Sequence, residues 1–191
     1  MPFALVPTSI SHWRALFLLV LLAISGLCWS DVNEKPQGNN EKLIMGWLET
    51  IYLQPGNLKV TAKLDTGAKT SSVHASKIEH FAKSGNPWVR FLFSPDKDSE
   101  SVKIERPLIR TAIIKERIAG SSKRDVVALS FCKSGKNYET EFTLNDRSNF
   151  NYPVLLGRSF LAGIALVDSS STFNLKGEKD ICLEMNKVQG N

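Results

Sequence analysis

The chain has 191 residues and a mass of 21.2 kDa, enough for one domain with a sizeable core and too little for two ordinary ones. Hydrophobic residues make up 42% and charged residues 23%, which excludes a disordered chain, a collagen and a disulfide scaffold. The 24 Lys and Arg against 19 Asp and Glu leave a net charge of +5, but no run of five like charges marks a nucleic-acid arm, and no nucleic-acid partner is expected.

The first element is an apolar block from Ala15 to Leu27, preceded by Arg14 and followed by Cys28, Trp29 and Ser30. It is too short to cross a bilayer comfortably, and with its basic flank it reads as a secretory signal peptide over residues 1–30, with Ser30 last before cleavage. A periplasmic or secreted protein without a stable membrane span after cleavage is expected. Leu27 stands where a lipoprotein signal needs a small residue, which argues against lipid attachment at Cys28. Of the remaining cysteines, Cys132 and Cys182 are compatible with a disulfide in an oxidising compartment or with two separate buried thiols.

Residues 31–42 are polar, carry Pro and Gly, and read as a linker. The domain is expected over 43–185, with a tail at 186–191. Strands are predicted at Leu43 to Leu53, Leu58 to Leu64, Trp88 to Phe93, Val102 to Ile114, Asp125 to Cys132 and Tyr138 to Leu144. Turn residues separate them, among them Gln54 to Asn57 and Lys133 to Asn137. Helix is confined to two turns at Ser76 to Ser84 and one turn at Ser159 to Gly163. Closely spaced strands joined by hairpins indicate an all-β sandwich or small barrel.

Two segments carry chemistry. In the first, Val60 to Ala75, a strand runs into Asp65-Thr66-Gly67-Ala68, placing an acid at a strand end, then a hydroxyl, then a glycine that permits a tight turn or a close backbone approach. Such a loop presents a carboxylate on a rigid support. In the second, Tyr152-Pro153-Val154-Leu155-Leu156-Gly157-Arg158, an apolar run meets a glycine and then one helical turn. Together with Phe142 to Arg147, these segments resemble the retropepsin-like aspartic proteases, and in particular a bacterial branch often labelled ATP-dependent zinc protease. The likeness covers Ile44 to Phe173.

The resemblance implies a small closed or partly closed barrel like a retropepsin protomer, with one short helix after Leu-Leu-Gly-Arg. It implies an aspartic endopeptidase or amide hydrolase that acts as a homodimer on a peptide or protein substrate. Asp65 would supply half of a catalytic dyad in which two carboxylates share one proton. Thr66 would hydrogen-bond across the dimer, Gly67 and Ala68 would let the backbones approach, and Leu155, Leu156 and Gly157 would pack behind the loop. A flap is expected over the cleft, and the hairpin from Trp88 to Glu105 fits it, although its tip, Pro95 to Glu100, lacks glycine. The alternative is a non-catalytic module that binds a peptide or cell-wall ligand in the same groove.

The residues do not support the zinc and ATP of the branch label. The sequence has neither a His-Glu-x-x-His pair nor a Gly-x-x-x-x-Gly-Lys-Ser/Thr loop, so no metal and no cofactor are expected. Asp168, in Leu166-Val167-Asp168-Ser169-Ser170, is followed by too little chain for a second lobe and reads as a turn residue. His74 fits a hydrogen-bonded core position or a site role. Arg147 and Arg158 are expected to brace the loops, and Trp47 and Trp88 to pack in the core, with Trp88 also placed to line a groove. Lys115, Arg117, Lys123 and Arg124 read as a solvated hairpin able to attract an acidic substrate.

Overall fold

A computed structural model describes residues 42–116, 120–174 and Cys182. The expected signal peptide, all of the linker but Lys42, the tail and Arg117 lie outside the described residues. Among the described residues, twelve strands and one short helix follow in chain order. They are β1 (Leu43–Gly46), β2 (Leu48–Leu53), β3 (Leu58–Leu64), β4 (Ser71–His74), β5 (Ser76–Lys83), β6 (Asn86–Phe93), β7 (Val102–Pro107), β8 (Arg110–Glu116), β9 (Gly120–Lys133), β10 (Lys136–Asn145), β11 (Val154–Leu156), α1 (Arg158–Leu161) and β12 (Ala165–Asp168).

The order β10-β4-β11-β3-β2-β9, with β9 pairing back to β10, closes a six-stranded ring, and β8 extends it beyond β9. This is the expected retropepsin-like barrel. Closure removes the free strand edges of the ring and gives it an interior to fill. Alternation along β3 sends Val60, Ala62 and Leu64 inward, and Phe131, Phe142, Leu129 and Leu156 meet them in the same buried core. Phe131 centres the aromatic packing, with Tyr138 stacked at 5.8 Å and Phe160 edge-on at 5.1 Å. Each such fully buried side chain contributes roughly 1.5–3 kcal/mol through its burial.

Two of the predicted strands divide. The run from Leu43 to Leu53 breaks at Trp47, because β1 pairs in parallel with β12 while β2 pairs with β3. The run from Val102 to Ile114 breaks after Pro107, where Leu108 N–H donates to Pro87 O and Ile109 N–H to Val126 O, so the chain leaves β6 and joins β9.

The helix expected at Ser76 to Ser84 is strand β5 instead. Its residues are mostly exposed, so no apolar alternation announces it. The turn after it decides the matter: Ser84 and Gly85 both have positive φ, 51° and 78°, the two-residue geometry that joins twisted antiparallel strands, and Lys83 pairs with Asn86. The single helical turn is present as α1, closed by Gly163 at φ 80°. Trp47 and Trp88 are half-buried rather than core: Trp47 packs edge-on to Tyr152, and Trp88 sits beside Phe81 under the Lys83 ammonium.

Two further ties fix the end of the domain. Cys132 and Cys182 form a disulfide across a separation of 50 residues. Beside it, Lys133 Nζ lies 2.9 Å from Glu49 Oε2, and both side chains are almost wholly buried. The other oxygen of Glu49 accepts from Gly46 N–H and Asn174 N–H, so this one carboxylate ties β1, β9 and the segment after β12 together.

Removing one partner from a buried ion pair leaves an uncompensated charge. Lys133→Met should cost about 3–5 kcal/mol in urea unfolding, and the double variant Glu49→Gln/Lys133→Met should cost less than Lys133→Met alone. Reducing the disulfide should cost about 4 kcal/mol on the chain-entropy model, read as a lower unfolding midpoint in dithiothreitol.

Candidate active site

Asp65 leaves the end of β3, and its placement is determined by the strands on either side. Leu64 N–H donates to Trp47 O and Asp65 N–H donates to Leu156 O, both at 2.9 Å. The carboxylate then closes a turn on itself: Oδ1 accepts from Gly67 N–H at 2.9 Å and from Ala68 N–H at 3.2 Å. A Cβ on residue 67 would lie 3.1 Å from that oxygen, so glycine is the residue that leaves the carboxylate uncrowded. The other oxygen, Oδ2, is 3.4 Å from Lys63 Nζ.

The Asp65 side chain is 26% exposed. Partial burial works against its charge, but the Gly67 N–H, the Lys63 ammonium and the Ala68 N–H together outweigh it and hold the carboxyl below the ordinary aspartate value. Asp65 is therefore an ionised carboxylate at neutral pH, fixed in direction and open to solvent on one side.

The second motif braces this loop from below. β11 lies between β3 and β4, so Leu156 is buried beneath Asp65. Gly157 then passes so close to the Asp65 loop that a Cβ on it would meet Thr70 O at 2.6 Å. Its N–H donates to the buried Ser71 Oγ, and the Arg158 and Ser159 N–H groups donate to Ala68 O and Lys69 O. Arg158 Nη1 donates to both Thr66 O and Gly67 O at 2.9 Å, the bracing role expected of it. Leu155 is different: it pairs in register with Lys63 and alternates to the half-buried outer face instead of packing behind the loop. Thr66 stands exposed at the loop tip.

A cavity of about 480 Å³ is lined by Thr61, His74, Arg147 and Tyr152 and by Pro95, Asp96 and Lys97; the residues of the Asp65 loop are not part of its wall. Pro95, Asp96 and Lys97 belong to the connection between β6 and β7, so the hairpin expected as a flap does face a cleft. Its glycine-free tip is fastened by Asp96, which accepts from Asp98 N–H and Ser99 N–H. Arg147 is buried, its Nε donates to Tyr152 O, and its guanidinium lies over the Phe150 ring at 4.5 Å. Burial and the nearby Arg124 push its pKa down, while the charge of Asp65 works the other way, which places Arg147 within electrostatic reach of the candidate site. His74 Nδ1 accepts from Arg147 N–H at 3.0 Å, so the neutral ring carries its proton on Nε2.

Asp168 ends β12, and its side chain caps the turn that follows, in keeping with the turn role expected of it. Its Oδ1 accepts from Ser170 N–H and Ser170 Oγ, and its Oδ2 from Ser171 Oγ. Among the described residues, no three His, Cys, Asp or Glu side chains converge as a metal cluster. The sequence reading missed Lys63 as a neighbour of Asp65. The signal was available, since residues i and i+2 of a strand share a face.

The tight passage at Gly157 predicts the response to a minimal change. Gly157→Ala should lower stability by about 1–3 kcal/mol in chemical unfolding, because the colliding atom is a backbone carbonyl that cannot swing aside.

Comparison with known proteins agrees with this geometry. A region of 127 residues, 65% of this chain, is 35% identical to a protein of Shewanella pealeana named probable alpha-L-glutamate ligase. A protein of the same name from Parasynechococcus marenigrum is 30% identical over 70% of this chain. The chain spans only 28% and 29% of the length of these two relatives. The crystal structure of Lpg0085 from Legionella pneumophila, titled as a protein with unknown function, superimposes with a TM-score of 0.61 at 34% identity, covering 70% of this chain and 98% of that one. The profile described as "Retropepsin-like aspartic endopeptidase RimB" matches residues 44–178. The chain belongs to the RimB-like family of retropepsin-like aspartic endopeptidases.

Proposed function

We propose that this chain is an aspartic-type endopeptidase that works as a homodimer and cuts acidic, glutamate-containing peptides. The observation that carries the reading is the Asp65 loop: an ionised carboxylate on a turn clamped by Arg158 and Gly157, with Asp168 engaged in hydrogen bonds of its own. Peptide hydrolysis by such a carboxylate needs a second one about 3 Å away, so that one acts as base toward water and the other as acid toward the carbonyl. A two-fold axis through the exposed Thr66 tip supplies it as the same residue of a second copy.

Two features support the acidic substrate. The relatives are named for ligation of α-L-glutamate, and the segment they share with this chain is a minor part of their length. We read it as the part that cuts. Two cations, Lys97 and the buried Arg147, line the cleft against one carboxylate, Asp96. Export to an oxidising compartment is part of the same proposal, supported by the apolar block at Ala15 to Leu27 and by the disulfide between Cys132 and Cys182.

The test is hydrolysis of a glutamate-rich peptide. Asp65→Asn should lower kcat/KM by at least about 10³-fold, since it removes the ionisable group and keeps the shape. Mixing it with wild type should depress activity below the wild-type share, and activity per chain should fall on dilution. Wild-type binding of the peptide without cleavage would replace the enzyme with a binding module. Arg147→Gln should raise KM for the acidic peptide by about 10-fold or more, and by clearly less for a neutral peptide. A bell-shaped pH profile with an acidic optimum is expected, because the pair works only while it shares one proton.

A further inference from the structure

Lys63 lies outside the Asp-Thr-Gly turn, yet it faces the one carboxylate oxygen that the turn leaves open. Gly67 N–H and Ala68 N–H both point at Oδ1, whereas Oδ2 has the Lys63 ammonium at 3.4 Å. Strand alternation places it there: Thr61, Lys63 and Asp65 project from the outer face of β3 while Val60, Ala62 and Leu64 go into the core. Thr61, two residues before Lys63 on the same face, lines the cleft. Leu155, its register partner on β11, is half-buried on the same face.

The other groups around Asp65 are already committed. From α1, Arg158 Nη1 is held by the Thr66 and Gly67 carbonyls. From the loop after β10, Arg147 gives its Nε to Tyr152 O and acts on Asp65 only through space. On β4, His74 turns its Nδ1 to Arg147 N–H, with Asp146 at 3.7 Å. From β11, the Leu156 carbonyl takes the Asp65 N–H. Lys63 is the cation that reaches the carboxylate itself.

We propose that Lys63 is a positioning residue that holds Asp65 Oδ2 and sets the pH range in which the Asp65 pair keeps its single shared proton. The proposal rests on reading Asp65 as half of a dyad. In the dimer each Lys63, held at the Oδ2 of its own Asp65, flanks the pair. An ammonium favours the ionised partner, and the doubly ionised pair gains most because it carries two charges. The shared proton is therefore lost at lower pH than it would be without the lysine. Removing the ammonium moves that loss, and the alkaline limb of the rate profile with it, to higher pH.

The experiment compares the wild-type chain with Lys63→Met, Lys63→Gln and Lys63→Arg. Asp65 is titrated by ¹³C-carboxyl NMR, and the pH profile of kcat/KM is measured on the glutamate-rich peptide. The Met and Gln variants should shift both the Asp65 titration and the alkaline limb upward by about half a pH unit or more, while Arg should keep both near wild type. An unmoved titration in a neutral variant that folds overturns the proposal, even if activity falls, because Lys63 would then act on something other than Asp65. A shifted titration in a protein that cuts no peptide, wild type included, keeps the hold of Lys63 on Asp65 and removes the peptidase reading.

Discussion

The geometry of the site depends on one close approach, that of Gly157 to the carbonyl of Thr70. At this point two segments almost ninety residues apart in sequence run backbone against backbone, with no side chain between them. The approach lets β11 enter the ring between β3 and β4, which puts Leu156 under Asp65 and brings Arg158 within reach of the Thr66 and Gly67 carbonyls. A turn held only by its own Asx hydrogen bonds would exchange among several conformers. Here the second motif over-determines it, and the carboxylate direction becomes a property of the barrel rather than of the loop.

Around that fixed carboxylate the charge is uneven. Lys63, Arg147 and Arg158 surround a single acid, each held differently: one at the surface, one buried, and one bound to carbonyl oxygens. The arrangement favours the ionised carboxylate. One of these cations, Arg147, also lines the cleft.

Much of this was legible in the sequence, and what was not has physical causes. β3 was predicted with its observed ends because its inward residues, Val60, Ala62 and Leu64, alternate with polar ones. The Asp65 and Gly157 motifs were readable because close backbone approach leaves a local mark, a glycine beside an acid or an apolar run. Strand β5 was not readable, since its face is mostly solvated and only its partner β6 makes it a strand. Nor were the breaks at Trp47 and after Pro107, where the chain changes sheets for reasons set by distant segments. The pairing of Glu49 with Lys133 joins residues 84 apart in sequence, a separation at which one sequence alone carries no signal.

The bridge between Cys132 and Cys182 bears on the order of assembly. Cys132 is the last residue but one of β9, and its partner follows only after β10, β11, α1 and β12 have been synthesised. The correct bond therefore closes late, on a barrel whose strands are all available. The whole chain has three cysteines and so three possible pairings, two of them wrong and both involving Cys28. Cleavage after Ser30 would remove Cys28 with the leader and leave one pairing. Under the export proposed above, loss of the leader would act as proofreading, because it would take the competing thiol of Cys28 away before the late bond forms.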